Sequence, residues 1–142
     1  MLNNMTAHAL LFTLACIGIS ETVYLIRKRW ENEKPVCYIG GSCGVVLSSK
    51  WNKIFGIHND ILGLFFYVTL SVITAFLVIG VEPVLLWEKI AYAAIGSGAL
   101  MSVYFVFLQW KVIKVWCFWC LMSAATIALM TVIVLTSTLI IK

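Results

Sequence analysis

Four long apolar runs dominate the pattern of hydrophobic and polar positions along the chain. Three of them, 61–81, 90–110 and 115–141, contain no charged residue, and a fourth, 5–26, contains only His8 and Glu21. About 20 consecutive apolar residues in a helix cross a hydrocarbon core of about 30 Å. The pattern therefore predicts four transmembrane helices.

None of the runs alternates between polar and apolar residues, as the strands of a membrane barrel would. Because backbone groups in lipid must be paired internally, helices are the remaining solution. We predict an all-α integral membrane protein, with a four-helix bundle in a single domain, residues 1–142. The predicted helices cover about 6–26, 59–81, 84–110 and 114–139, with a cysteine-bearing loop at 27–58.

The composition agrees with this prediction and excludes a water-soluble fold. Hydrophobic residues make up 63% of the 142 residues and charged residues 11%, whereas about a quarter of a soluble domain is charged. Arg27, Lys28 and Arg29 follow the first apolar run. A cleavable signal peptide has its basic residues before the run, so we predict that the first helix is retained.

The loop 27–58 is the one long polar stretch, and its second half is partly apolar. The spacing of apolar residues over 44–55 predicts a short amphipathic helix at the membrane interface. Glu82 and Pro83 predict a tight connection between the second and third helices, because proline disfavours helix interiors.

Helix parity brings two distant cysteine pairs to one end of the bundle. Four crossings place the loop 27–58 and residues 111–114 on one side of the membrane. Cys37 and Cys43 therefore share a side with Cys117 and Cys120. Cys16 lies in the middle of the first helix, where we predict a small buried apolar side chain.

The C-x-x-C motif predicts redox chemistry. Cys117 and Cys120 are three residues apart and so share one helix face, near a helix N-terminus that stabilises a thiolate. A thiolate is the attacking group in thiol–disulfide exchange. A four-cysteine zinc site is the alternative, although Cys37 and Cys43 have five residues between them, more than the usual two to four or so.

Dithiol oxidation releases two electrons, and a lipid-soluble quinone accepts two within the bilayer. A C-x-x-C motif at the membrane rim is therefore well placed to reduce a quinone. A pocket among the helices would suit an aromatic headgroup. The aromatic residues that could line it are Trp116, Phe118 and Trp119, or Phe65 and Phe66. The alternative for these residues is an aromatic belt at the membrane interface, where Trp and Tyr are common.

Ionisable residues are scarce in the apolar runs, which disfavours a transporter. We interpret Glu21, His58 and Asp60 as residues of the helix boundaries rather than as a proton relay.

Three motifs carry a family resemblance. The loop contains "CYIGGSC" followed by "GVVLSSKW", the second helix begins with "FGIHNDILGLFFY", and the fourth begins with C-x-x-C. With these motifs the chain resembles the vitamin K epoxide reductase family over nearly its whole length. The resemblance implies a four-helix bundle with a loop cysteine pair after the first helix.

The resemblance also implies a role for each of four cysteines. Cys37 exchanges disulfides with a thioredoxin-like protein, which we expect to be a separate chain. Cys43 passes electrons to Cys117, and Cys120 faces the quinone, which is of the menaquinone or ubiquinone type.

Further site residues follow from the same resemblance. Asn59 donates a hydrogen bond to a quinone carbonyl, although an asparagine here could also cap the second helix. Ser49 supports the reacting cysteines, and Phe65 lines the quinone site. Ala124 stands where vertebrate members have a tyrosine that donates a second hydrogen bond to the ring. The quinone is therefore held by Asn59 alone or by another donor.

The predicted function is a membrane thiol–disulfide oxidoreductase that oxidises a thioredoxin-like partner and reduces a quinone. The alternatives are a quinone or quinone-epoxide reductase that runs in the opposite physiological direction, and a four-cysteine metal-binding structural membrane protein.

The side of the membrane is indicated differently by charge and by resemblance. Eight of the ten Lys and Arg residues lie at the cysteine end, which the positive-inside tendency places in the cytoplasm. The resemblance places the site at the exoplasmic face, where disulfides persist. We predict a multi-pass protein of the cell membrane with an exoplasmic site.

Overall fold

The computed structural model describes residues 4–33, 36, 50, 53–114 and 116–141. The elements are α1 (Asn4–Trp30), β1 (Lys53–Ile54), β2 (Ile57–His58), α2 (Asn59–Ile79), α3 (Val84–Phe107) and α4 (Phe118–Ile141). In this part of the chain, four helices are long and apolar enough to cross a membrane. The predicted four-helix membrane architecture is confirmed.

The helices form a closed ring around a shared core. α1 packs along α2, α3 packs against α2 and α4, and α4 packs against α1. Apolar side chains from all four helices meet in the middle. The buried core consists of Leu11, Ala15, Tyr67, Leu70, Ile73, Leu77, Ala91, Ile95, Ile127 and Met130.

Two helix ends differ most from the predicted bounds. α1 continues to Trp30, and the chain beyond it is held by pairs from Arg27 to Glu31 and from Lys28 to Glu33. α4 begins at Phe118 rather than at 114, because Lys114 adopts a left-handed conformation that interrupts the helical path.

The turn between α2 and α3 has the expected position. α2 ends at Ile79, and Gly80 follows it with φ 83°, the left-handed C-terminal cap that glycine adopts without steric cost. Pro83 then precedes the first residue of α3, where its missing N–H costs nothing.

A small hairpin precedes α2. Lys53 pairs with His58 and Ile54 with Ile57 in antiparallel register. Phe55 and Gly56 close the turn, both with positive φ, as a two-residue hairpin loop requires. The predicted interfacial helix is therefore wrong at its C-terminal end, and its residues 44–49, 51 and 52 lie outside the described residues.

Cys16 lies on the outer face of α1, so its predicted burial is wrong. The inward line of α1 runs through Leu11, Ala15, Gly18 and Thr22, at steps of three or four residues. Gly18 is needed on that line, because a Cβ there would collide with the ring of Tyr67. Cys16 is on the opposite side of the helix.

The third span ends in a π-helical segment, Leu108–Ile113, which continues directly from α3. π-helical turns are rare and are frequent at functional sites. Leu108 and Gln109 are both buried in this segment, and the wider winding directs the Gln109 side chain into the bundle.

Candidate active site

A cavity of about 280 Å³ opens between the helices at the cysteine end. All four helices and the π-helical segment contribute to its walls, which are mainly apolar. This volume is close to the lower limit of about 300 Å³ for small-molecule pockets. The cavity can therefore accommodate a compact ring system.

The C-x-x-C motif forms the first turn of α4. The Cys117 carbonyl accepts a hydrogen bond from the Leu121 N–H at 3.0 Å, which makes Cys117 the residue that caps the helix. Its side chain is fully buried, whereas Cys120 lines the cavity. Both are free thiols. Cys117 is thus enclosed by protein, whereas Cys120 belongs to the wall of a cavity that is large enough for a ligand.

The two sulfurs differ electrostatically. A hydrogen bond from the Cys120 thiol is the main cause that lowers the pKa of Cys117 to about 7. Burial opposes this effect, and the backbone N–H groups of Cys120 and Trp119 add to it. These N–H groups are the unpaired donors of the first helical turn. Cys117 is therefore the sulfur that ionises near neutral pH.

Gln109 holds Cys117 from the other side. Its Oε1 accepts the Cys117 backbone N–H at 2.8 Å, and Gln109 itself is buried and lines the cavity. Gln109 is not among the site residues predicted from the sequence. The available signal was an amide side chain in the last turn of an otherwise apolar run.

Trp119 connects the motif to the loop. Its ring lies 4.5 Å from that of Tyr24, measured between centroids, and its Nε1–H donates to the Val36 carbonyl at 2.7 Å. The Val36 N–H donates to the Tyr24 hydroxyl at 3.1 Å. The chain therefore enters the cysteine-bearing loop from a point fixed against α1 and α4.

Three predicted site residues, Cys37, Cys43 and Ser49, lie outside the described residues. Their assignments stay predictions.

Asn59 lines the cavity from the first turn of α2. The cap of α2 is His58, so the alternative role of Asn59 as a helix cap is wrong. Next to Asn59, the buried Asp60 carboxylate accepts a hydrogen bond from Arg29 at 2.6 Å. This ion pair joins the ends of α1 and α2 beside the site.

Burial lowers the pKa of His58, and the nearby charges of Arg29 and Lys53 act in the same direction. His58 is therefore mainly neutral at pH 7.

The aromatic residues divide between the cavity and the outer surface. Phe66 and Trp119 line the cavity, whereas the Phe65 side chain is 73% exposed on the outside of α2. Trp116 is also exposed. Phe66 reaches inward because Gly98 on α3 leaves room, and a Cβ there would lie 2.8 Å from the ring. The structure thus places Phe66, and not Phe65, in the wall of the cavity that Cys120 also lines.

Tyr67 and Ser123 form a hydroxyl pair in the cavity wall. Their oxygens are 2.8 Å apart, and the tyrosine ring is buried against Gly18. Ser123 and Ala124 both line the cavity next to Cys120. A tyrosine hydroxyl is therefore present in the site, although it comes from α2 rather than from position 124.

Glu21 also lines the cavity. It is buried and lies nine residues before the end of α1, so the interpretation of Glu21 as a boundary residue is wrong. The pattern of apolar residues did not distinguish a position at the helix boundary from one in the bundle interior. One charged residue near the end of an apolar run is compatible with both.

A four-helix membrane bundle with a dithiol at its rim, one sulfur ionisable and the other facing a cavity, defines a membrane thiol oxidoreductase. Residues 9–135 match the sequence model of the Vitamin K epoxide reductase family. The chain belongs to this family, and it is therefore a membrane oxidoreductase.

Proposed function

We propose that this protein oxidises a separate thioredoxin-like protein and passes the electrons through two cysteine pairs to a membrane quinone of the menaquinone or ubiquinone type. The observation that carries the proposal is the placement of Cys120 in the cavity wall beside the buried, ionisable Cys117. Electrons that arrive at Cys117 can leave through Cys120 to a ligand in the cavity.

The first half of the proposed path is disulfide exchange. The dithiol of the partner reduces the Cys37–Cys43 pair, and Cys43 then exchanges with Cys117. Each exchange forms one S–S bond and breaks another, so the two electrons move with the thiols. The anchoring of Val36 on Trp119 supports this path, because it starts the cysteine-bearing loop next to the C-x-x-C motif.

The second half is oxidation of the C-x-x-C pair. A bound quinone supplies a two-electron acceptor, and it becomes a quinol when it gains two electrons and two protons. Cys117 and Cys120 form a disulfide at the same time. The low pKa of Cys117 supports this direction of attack, because its thiolate is the group that closes the S–S bond onto Cys120.

The cavity suits a quinone ring because its walls are mainly apolar and its polar groups are few. In this proposal Asn59 donates to one ring carbonyl, and Phe66 contacts a ring face. Tyr67 donates to the ring from its pair with Ser123, in place of the tyrosine that is absent at Ala124. Ser49 supports the cysteines from the loop.

We propose that the cysteine end faces the exoplasmic side, where a partner dithiol would be converted to a stable disulfide. Fusion of a topology reporter after Lys142 tests the orientation, since the C-terminus lies at the opposite end of the bundle. A reporter on the outside would reverse it.

The function is tested with purified protein, reduced in detergent and mixed with a short-chain quinone under anaerobic conditions. Quinone absorbance and free thiols are counted together, and one quinone should be consumed for each pair of thiols lost. Cys120→Ser should abolish the reaction, whereas Cys16→Ser, which alters a thiol on the outer surface, should not. Full turnover by Cys120→Ser would refute the proposal.

A further inference from the structure

Glu21 is a carboxylic side chain inside the membrane part of the bundle. It lies eight residues before Arg29 on α1, about 12 Å further from the cysteine end along the helix axis. Its relative exposure is 7%. An ionisable residue at such a depth is costly and usually marks a functional site.

The two oxygens of Glu21 have different surroundings. Oε1 accepts a hydrogen bond from the Thr126 hydroxyl at 3.3 Å. Oε2 is buried and has no hydrogen-bond partner among the described residues. An unsatisfied buried oxygen is unfavourable, and buried polar groups without a protein partner commonly bind water or a ligand. Because Glu21 lines the cavity, the occupant of the cavity is the available partner.

A polar line connects Glu21 with the reactive sulfur. Cys120, Ser123 and Thr126 follow one another at three-residue steps on α4, so they lie on neighbouring turns of one side of the helix. Ser123 pairs with Tyr67 and Thr126 with Glu21. The line runs from Cys120 through Ser123 and Thr126 to Glu21, and three of its members, Cys120, Ser123 and Glu21, belong to the wall of the cavity.

The proton stoichiometry of quinone reduction requires a second proton donor, and this line of polar groups contains one. Conversion of a quinone to a quinol takes two protons. Cys120 loses its S–H proton when the disulfide forms and can supply one of them. Cys117 is largely a thiolate above neutral pH, so its proton has already left the site. One further proton must come from another group.

We propose that Glu21 supplies this second proton to the oxygen of the bound quinone and is then reprotonated from water. The proposal rests on the proposed function. In the balanced step, the Cys117 thiolate and the Cys120 thiol form one S–S bond and release two electrons and one proton. The quinone gains those electrons, the Cys120 proton and the Glu21 proton, and Glu21 is left as a carboxylate.

The test compares the wild type with Glu21→Gln, which keeps the shape of the side chain but has no proton to transfer. The reduced proteins are mixed with a short-chain quinone, and the rate of thiol oxidation is followed from about pH 6 to about pH 9. We expect the rate to fall about a hundredfold, the usual size of a general-acid contribution. Quinone affinity, measured by quenching of tryptophan fluorescence, should change less than about twofold.

A spectroscopic readout is independent of turnover. In the wild type, addition of a quinone to the oxidised protein should shift the carboxylic C=O band in an infrared difference spectrum, because Oε2 gains a partner. This signal should be absent from Glu21→Gln. Glu88→Gln is the matched control, since Glu88 bonds to Tyr92 at 2.7 Å and is not part of the cavity wall. It should keep both the rate and the signal.

The outcomes separate the two proposals. If the wild type does not reduce quinone, the proposed function fails. If it does, and Glu21→Gln reacts at the same rate with the same pH profile, only the role of Glu21 is refuted. A loss of quinone affinity equal to the loss of rate would also refute it, because it would make Glu21 a binding residue.

Glu21→Asp keeps a transferable proton on a shorter side chain and should recover part of the lost rate. Equal losses in both variants would overturn the proposal.

Discussion

The two halves of the bundle use the same four helices in opposite ways. Toward the turn at Gly80, side chains such as Leu70, Leu77 and Met130 fill the interior. Toward the cysteines, the same helices enclose a cavity of about 280 Å³ and bury Glu21 and Gln109. The solid half stabilises the fold through this packing. The hollow half depends on this stability to hold polar groups that would be unfavourable by themselves.

The largest expected effect is a cavity made in the solid half. Met130 is fully buried in the core, and Met130→Ala should lower the free energy of unfolding by about 2–4 kcal/mol, because the packed helices cannot collapse onto the space. Chemical denaturation in detergent measures the loss.

The matched variant fills the hollow half. Ala124→Leu places extra volume in the existing cavity and should leave stability unchanged or higher, while it raises the KM for quinone. A loss of stability comparable to that of Met130→Ala would show that the cavity half is packed as tightly as the other.

The next effect concerns the ion pair beside the cavity. Asp60 is buried and bonds to the partly exposed Arg29, so Asp60→Ala leaves a cation without its partner. Loss of one member of a buried pair costs about 3–5 kcal/mol, and the exposure of Arg29 reduces our expectation to about 2 kcal/mol. Glu31→Ala, which removes the exposed partner of Arg27, should leave the unfolding midpoint nearly unchanged. Equal losses would contradict this difference.

A smaller effect is expected where the two halves meet. Gly18→Ala places a methyl group against the Tyr67 ring, and overpacking of this kind costs about 1–3 kcal/mol. The shifted ring should also weaken the bond between Tyr67 and Ser123, so that quinone affinity falls together with stability. Gly96→Ala is the control, since no atom lies within 4 Å of its added Cβ. Quinone affinity unchanged in Gly18→Ala would argue against a role for Tyr67 in binding.

The smallest expected effect is a change in ionisation. The Cys120 thiol is the main reason that the pKa of Cys117 is about 7, and Cys120→Ala should therefore raise it toward the ordinary value of a thiol. Thiolate absorbance in the ultraviolet should then appear at a higher pH than in the wild type. Cys16→Ala is the control and should leave the thiolate absorbance of Cys117 appearing near pH 7. A titration near pH 7 that persists in Cys120→Ala would assign it to another group.

The sequence was sufficient for the four spans and for the C-x-x-C motif at a helix start. Length and hydropathy determine which segments enter a bilayer. They do not determine which face of each helix points inward, because lipid tails and the protein core are equally apolar. This is why Phe65 was expected in the cavity together with Phe66, and why Cys16 was expected to be buried.

The polar contacts of the site were not predictable either, because they depend on how each helix is rotated about its axis. The bond from Gln109 to Cys117 depends on a π-helical segment, and the pairs Tyr67–Ser123 and Glu21–Thr126 depend on the phase of three separate helices. No local pattern carries this information. The Phe55–Gly56 turn was missed because a positive φ at phenylalanine is unusual.

The contacts of Val36 with Tyr24 and Trp119, together with the Lys53–His58 hairpin, tether the loop at both of its ends. In the proposed function, thiols carried between two such points would meet a neighbouring sulfur at an effective concentration on the order of millimolar. The proposed exchange within the chain would then be insensitive to dilution, and the encounter with the proposed separate partner would be the step that responds to protein abundance in the cell.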